Sequence, residues 1–235
     1  MKIFNKTSDK LSEENTLDKP KFGFSILLVL LLSFVVIPSY ITDTDAHTGV
    51  WLNLIFSSIL LSSLYLVAHE RREFLIGCLI AAATLLFSWT DYVRTDTLGS
   101  HLAIGLYIVF FCYIIFMLAR YLFETNEVSA NMIYASVCLY LLMGLMWTFI
   151  YFWIEKIHPG SFSNTPVITD PDQSFLLVHF SYFSFVTIST LGYGDIVPIT
   201  RIARSWTNLE AIAGQFYLAI VVARLVGLHI SAKRK

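Results

Sequence analysis

Hydrophobic residues run along this 235-residue chain in long, almost uncharged segments that short polar stretches separate. A helix needs about 20 such residues to cross a bilayer. Six segments of about this length, 17 to 26 residues, predict six transmembrane helices in an all-α membrane protein. They lie at Phe22–Ile41, Gly49–Ala68, Phe74–Thr90, His101–Phe123, Asn131–Glu155 and Ser205–Ile230.

A further apolar segment, Ser174–Val197, has a different construction. Its first 14 residues, Ser174–Thr187, have the composition of a helix but are too few to cross a bilayer. A glycine-containing stretch follows and ends in a proline-bearing turn. This pattern predicts a re-entrant segment, in which a short helix enters the membrane and a loop returns to the same side.

Composition supports a membrane protein, because 56% of the residues are hydrophobic and 14% are charged. Soluble domains carry about 25% charged residues. The three cysteines lie within apolar segments and have neither zinc-ligand spacing nor a disulfide pattern. The sequence shows no grouping of a catalytic nucleophile with a base. Outside the glycine-containing stretch described above, it shows no glycine-rich loop of the kind that binds phosphate. We therefore expect no enzyme, no organic cofactor and no nucleic-acid partner.

The distribution of charge predicts which way the protein faces. In a six-helix topology, 12 of the 16 basic residues lie on the side that holds both termini. Basic residues concentrate in cytoplasmic loops, so we expect both termini in the cytoplasm and a plasma (inner) membrane location. The opposite face carries acids that would attract cations: Asp43, Asp45, Asp91, Asp96, Glu155, Asp170, Asp172 and Asp195.

The most informative stretch is the hexapeptide Thr190–Asp195, which reads Thr-Leu-Gly-Tyr-Gly-Asp. Glycine adopts positive φ readily, so Gly192 and Gly194 allow successive peptide units to turn their carbonyl oxygens toward one axis. Stacked rings of such oxygens can replace the hydration shell of a cation. Irregular backbone at membrane depth is tolerated where it lines an aqueous path.

With the short helix before it and a span after it, Ser174–His229 resembles the pore region of the tetrameric potassium channels. The resemblance implies a homotetramer in which four hexapeptides surround the bound K⁺ ions. It implies ion ligation by the carbonyl groups of Thr190, Leu191, Gly192 and Tyr193, and by the Thr190 hydroxyl. Support for this filter would come from Thr187, Gly194 and Asp195.

One position departs from the family pattern. Many relatives place a carboxylate in the pore helix to pair with the aspartate that follows the filter. The matching residue here is Val186. The partner of Asp195 therefore remains open at the level of sequence.

The last span contains four predicted features. Gly214 falls at the family's hinge glycine, with ordinary helix packing as the alternative reading. Glu210 is expected to bond the back of the short helix, through Thr187 or Ser184, or to bond a neighbouring subunit, with direct ligation of the ion as a further alternative. Arg224 is expected to reach lipid headgroups. At 100° per residue one face is predicted to line the cavity, and it holds Gln215, Leu218, Val222 and Val226.

The first four spans lack the pattern of a voltage sensor, which needs a basic residue at every third position. The fourth span carries Arg120 alone. The predicted divisions are a polar cytoplasmic segment (1–21), a four-helix domain without gating charges (22–123), a pore domain (131–230) and a basic tail (231–235).

These observations predict a passive potassium-selective channel that is not steeply voltage-gated. Its partners would be K⁺, the lipid bilayer and other copies of itself. The alternative is a non-conducting membrane sensor or auxiliary subunit that keeps a channel-like pore fold. A channel that also admits sodium is a third reading, against which both filter glycines and the tyrosine argue.

Overall fold

A computed structural model of the chain describes residues 23–37, 48–67, 71–94, 97–125, 128–165 and 174–233. Within these ranges the chain forms seven α-helices. They are α1 (Gly23–Val36), α2 (Thr48–Val67), α3 (Arg71–Arg94), α4 (Thr97–Glu124), α5 (Ala130–Ile157), α6 (Ser174–Ile188) and α7 (Arg201–Lys233). The prediction of an all-α protein is confirmed at this level.

Helix length separates the seven elements into two groups. Five of them, α2, α3, α4, α5 and α7, are long and apolar enough to cross a membrane. The described part of α1 has 14 residues, and α6 has 15. The predicted first span continues into residues 38–41, which lie outside the described ranges, so a sixth span stays a prediction. The segment 1–21 and residues 43, 45, 96, 170 and 172 of the acidic face also lie outside them.

Local capping fixes where the two longest apolar helices of the C-terminal half begin. The Ser129 hydroxyl accepts a hydrogen bond from the Met132 amide at 3.2 Å, which caps α5. The Thr200 hydroxyl accepts from the Ala203 amide at 3.3 Å and caps α7 in the same way. Both caps satisfy amides that have no partner inside the helix.

Aromatic side chains fill the centre of the first four helices. Phe34, Phe56, Tyr107 and Phe111 are buried there, and the Tyr107 ring stacks on Phe149 of α5 at 4.5 Å. The one basic residue of α4, Arg120, lies near the C-terminal end of that helix and pairs with Glu73 and Glu124 at 2.7 Å. Such exposed pairs contribute little stability, so burial of apolar surface holds this bundle together.

The expectation that Arg224 reaches lipid headgroups is wrong. Its guanidinium group lies against the C-terminal end of α4, where Nε is 3.1 Å from the Leu122 carbonyl oxygen. Nη2 is 2.7 Å from the carbonyl oxygen of Phe123 and 2.9 Å from that of Thr125. The last carbonyls of a helix lack intrahelical partners and carry partial negative charge. Arg224 therefore joins the C-terminal third of α7 to α4.

Two glycines bring α6 close to the helices on either side of it. A Cβ on Gly144 of α5 would lie 2.5 Å from Cε1 of Phe185. A Cβ on Gly214 of α7 would lie 2.5 Å from the backbone oxygen of Ile188. These distances are below any normal contact, so α6 lies where it does because both positions lack a side chain.

We expect Gly144→Ala to lower the free energy of unfolding by about 1–3 kcal/mol, because the added methyl group overpacks the α5–α6 contact. Thermal unfolding of the purified protein, followed by tryptophan fluorescence, measures the effect. Gly99→Ala is the matched control, because no atom lies within 4 Å of a Cβ at that position in α4. Equal melting temperatures for the two variants would contradict the close contact.

Candidate functional site

The hexapeptide begins in the turn that ends α6. The Thr190 amide donates to the Thr187 carbonyl at 2.9 Å, and the Leu191 amide donates to the Val186 carbonyl at 3.0 Å. This pair of bonds is a Schellman motif, whose first residue beyond the helix cap takes a left-handed conformation and is usually glycine. Here that residue is Thr190, with φ of 58°. Thr187, predicted as a support, contributes through its backbone.

Positive φ recurs at every second residue of the hexapeptide. The values are 58° at Thr190, 59° at Gly192 and 80° at Gly194, whereas Leu191 and Tyr193 have negative φ. A backbone that alternates in this way can direct successive carbonyl oxygens to one side, which is what a carbonyl-lined ion path requires. The sequence predicted the two glycines but not Thr190, because a β-branched residue rarely adopts positive φ.

The hexapeptide points away from the rest of its own chain. All six of its residues are exposed, Leu191 and Tyr193 by 56% and 66%. No atom lies within 4 Å of a Cβ on Gly192 or Gly194. The positive φ values, rather than crowding inside the protomer, are therefore the reason for glycine at these two positions.

Tyr182 supplies the missing partner of Asp195. Its hydroxyl donates to Oδ2 of Asp195 at 2.6 Å, and the Ile196 amide donates to Oδ1 at 3.0 Å. The hydrogen bond from Tyr182, followed by the backbone amides, holds the pKa of the Asp195 carboxyl below its ordinary value. Tyr182 lies one turn before Val186, hence on the same face of α6. That spacing is the sequence signal from which this partner could have been found.

A loop after α5 braces the segment that follows the hexapeptide. The Ser163 amide donates to the Val197 carbonyl at 2.9 Å, and the Ile199 amide donates to the Ser161 carbonyl at 2.7 Å. The Asn164 side-chain amide donates to the Asp195 carbonyl at 2.6 Å. These bonds attach residues 195–199 to the loop, an arrangement that the sequence analysis missed.

Glu155 holds that loop in place. Its carboxylate accepts hydrogen bonds from the backbone amides of Gly160 at 2.7 Å, Ser161 at 2.9 Å and Phe162 at 3.2 Å. The side chain is buried, with 4% of its surface exposed. The sequence analysis counted Glu155 among the acids of an exposed cation-attracting face. That assignment is wrong, because its charge faces three amide groups instead of solvent.

Glu210 lies at the junction of α5, α6 and α7 and is fully buried. Its Oε1 is 2.5 Å from Oγ of Ser184, and that Oγ is 2.8 Å from the Gly144 carbonyl oxygen. Its Oε2 is hydrogen-bonded to the Tyr151 hydroxyl. Of the partners named from sequence, Ser184 makes the contact, and it belongs to the same chain.

The remaining predicted residues lie on α7. Gly214 packs against Ile188, and the helix continues through it from Arg201 to Lys233. The packing alternative thus has a structural basis, whereas a hinge at Gly214 stays a prediction. Gln215 is exposed, and its Nε2 donates to the Thr190 hydroxyl oxygen at 3.2 Å. The other members of the predicted cavity face are also exposed in the chain: Leu218, Val222 and Val226.

We expect Tyr182→Phe to raise the pKa of Asp195, because the variant loses the hydroxyl that favours the ionised carboxylate. In the wild type, this bond contributes to the stability of the folded protein at pH values above the ordinary pKa of an aspartate. The contribution is lost as the pH falls through the lower pKa of the folded protein. Carboxyl ¹³C NMR across an acid titration measures both values, and Tyr134→Phe, an exposed tyrosine near the start of α5, is the control. An unchanged Asp195 titration in Tyr182→Phe would contradict the hydrogen bond.

Comparison with known proteins identifies the class. The sequence model of a family described as ion channel matches residues 137–229, which include α6, the hexapeptide and most of α5 and α7. Protein LctB of Bacillus caldotenax is 30% identical over 102 residues, which are 43% of this chain and 75% of that protein. The potassium channel protein kcv of Paramecium bursaria Chlorella virus 1 is 33% identical over 69 residues, 29% of this chain and 72% of that protein. No solved structure matches the chain significantly. The chain therefore belongs to the potassium channel family.

Proposed function

We propose that the chain is one subunit of a homotetrameric, potassium-selective channel whose filter is the hexapeptide Thr190–Asp195. The observation that carries the proposal is the alternation of positive and negative φ that begins at Thr190. K⁺ would be ligated by the carbonyl oxygens of Thr190, Leu191, Gly192 and Tyr193, with the Thr190 hydroxyl as a further ligand. No organic cofactor takes part.

The conformation of Thr190 supports a role for its side chain. Left-handed backbone costs an L-residue roughly 1–2 kcal/mol, and glycine would avoid that cost. A strained residue at a functional position is a reason to look for a function of its side chain. The Thr190 hydroxyl lies at the start of the hexapeptide and contacts Gln215 of α7, where it can face both the filter and the cavity below it.

The unpaired surface of α7 supports the tetramer. In an apolar stretch of 18 residues within Arg201–Ser231, only 6% of the residues are buried within the chain. The corresponding value for a stretch of the same length within Ala130–Ile157 is 61%. A single hexapeptide cannot surround an ion, whereas four copies around one axis can. In that arrangement, part of α7 would pack against its symmetry mates and part would line the cavity. Large apolar side chains available for this are Leu209, Ile212, Phe216 and Ile220.

The first four helices support a channel that is not steeply voltage-gated. Moving one charge through the membrane contributes about 2.3 kcal/mol per 100 mV, so a steep response needs several charges per subunit. In the described part of α4 the one basic residue is Arg120, which pairs near the end of the helix. We further propose that both termini face the cytoplasm of a plasma-membrane protein, on the distribution of basic residues.

The test is cation flux in proteoliposomes under a potassium or a sodium gradient. We expect potassium flux that excludes sodium and that barium blocks. Gly192→Ala should reduce the flux to background, because it imposes roughly 1–2 kcal/mol of backbone strain in each subunit. Gly99→Ala, a position with open space and ordinary φ, should conduct like the wild type.

The outcomes separate the competing readings. Equal sodium and potassium flux would overturn the selectivity. Absence of flux at every voltage, from protein that is folded and tetrameric, would favour the non-conducting sensor or auxiliary subunit. Potassium flux that survives Gly192→Ala would remove the hexapeptide from the conduction path.

We expect the purified protein to have the mass of four subunits of 26.8 kDa. The exposed apolar face of α7 provides the driving force for this association. Native mass spectrometry from detergent micelles, with bound lipid removed by collisional activation, gives the number of copies. A monomer or a dimer under conditions that preserve flux would contradict the tetramer.

A further inference from the structure

Three short polar contacts link Glu210, Ser184, Tyr151 and the Gly144 carbonyl group. Ser184 Oγ lies 2.8 Å from the Gly144 carbonyl oxygen and 2.5 Å from Glu210 Oε1. The Tyr151 hydroxyl contacts Glu210 Oε2. Each contact has the geometry of a hydrogen bond, and each such bond requires one hydrogen atom between its two oxygens.

Counting hydrogens gives the protonation state of Glu210. A backbone carbonyl can only accept, and a serine or tyrosine hydroxyl has a single hydrogen to donate. Ser184 and Tyr151 together supply two hydrogens for three bonds. The third must come from the carboxyl group. One arrangement gives each of these three contacts a hydrogen: Glu210 donates to Ser184, Ser184 donates to the Gly144 carbonyl, and Tyr151 donates to Glu210. The Thr207 hydroxyl also lies near Tyr151, but it donates to the Ala203 carbonyl at 2.9 Å and so supplies no hydrogen to these contacts.

The surroundings of Glu210 agree with a neutral carboxyl group. The ion pairs found among the described residues are those of Arg120, so no cation there balances Glu210. The titratable groups that act on it are Tyr151 and Tyr140, both on α5, and α6 contributes the Ser184 hydroxyl. An unpaired carboxylate in a fully buried site is strongly unfavourable, and a proton removes that charge.

We propose that Glu210 is a protonated carboxylic acid that donates a hydrogen bond to Ser184 and thereby acts as a positioning residue for α6. This inference deepens the proposed function and rests on it. Ser184 lies just before Val186 and Thr187, whose carbonyls fix the start of the hexapeptide. A neutral donor on α7 thus holds the last turn of α6 without placing a negative charge behind the proposed filter.

Glu155 provides the opposite case within the same chain. It is also buried, but its oxygens face backbone amides, which can only donate. A glutamine fits the Glu210 site, since its NH₂ can donate to Ser184 while its oxygen accepts from Tyr151. At Glu155, the same NH₂ would face other donors and leave a buried polar group unsatisfied. Matched Glu→Gln substitutions therefore distinguish the two carboxyl groups.

The first measurement is infrared spectroscopy of the wild-type tetramer at neutral pH. We expect a carbonyl stretching band of a protonated carboxylic acid, sensitive to ²H₂O exchange and assigned with ¹³C-labelled glutamate. The band should vanish in Glu210→Gln and persist in Glu124→Gln, whose carboxyl is on the surface. It should move to higher frequency in Tyr151→Phe, where the carboxyl oxygen loses its donor. A wild type without the band would overturn the protonated state.

The second measurement is potassium flux of the variants. Glu210→Gln should conduct within about twofold of the wild type, whereas Glu210→Ala and Glu155→Gln should each lose about tenfold or more. Thermal unfolding identifies variants that fail to fold. Loss of flux in folded Glu210→Gln would overturn the positioning role. A wild type that shows the band but conducts no ion would overturn the proposed function and leave the protonation state supported.

Discussion

The end of α6 is the constraint on which the arrangement of the site depends. A helix leaves its last carbonyl groups without partners, and here the first residues of the hexapeptide supply two of those partners. The motif that does so requires a left-handed residue immediately after the helix. Thr190 accepts that conformation, and the alternation of φ along the hexapeptide continues from it. The backbone conformation that ends α6 therefore continues directly into the proposed ion path.

Support for this geometry comes from three directions. Tyr182 on α6 holds the Asp195 carboxylate, the loop after α5 holds residues 195–199, and Glu210 on α7 contacts Ser184. Polar groups of this kind are costly inside an apolar protein unless their partners are present. Their hydrogen bonds restrict the conformations available to the segments on either side of the hexapeptide.

Much of this could be predicted from the sequence, because the underlying signals are local. Hydropathy gave the five long helices and α6 to within a few residues, since segment length and polarity decide them. Gly192 and Gly194 predicted positive φ at their own positions. Contacts between distant segments carry no such signal, which applies to the Arg224 contact and to the bonds between the loop after α5 and residues 195–199. The conformation of Thr190 is local, but its residue type argues against the positive φ that the helix end requires. Glu210 is intermediate: an acid within a span requires some partner, and the sequence suggested Thr187, Ser184 or a neighbouring subunit, of which the structure shows Ser184.

Arg224 changes how the two parts of the chain can move. The family model matches residues 137–229, so α1 to α4 lie outside the matched region. Three carbonyl groups at the end of α4 receive the guanidinium of α7, and an outward swing of α7 would have to break all three bonds or carry α4 along. The four-helix bundle is therefore tied to the C-terminal third of α7. In the proposed channel, a force on that bundle would reach α7 directly through Arg224, in addition to any path through α5, whose Phe149 stacks against Tyr107.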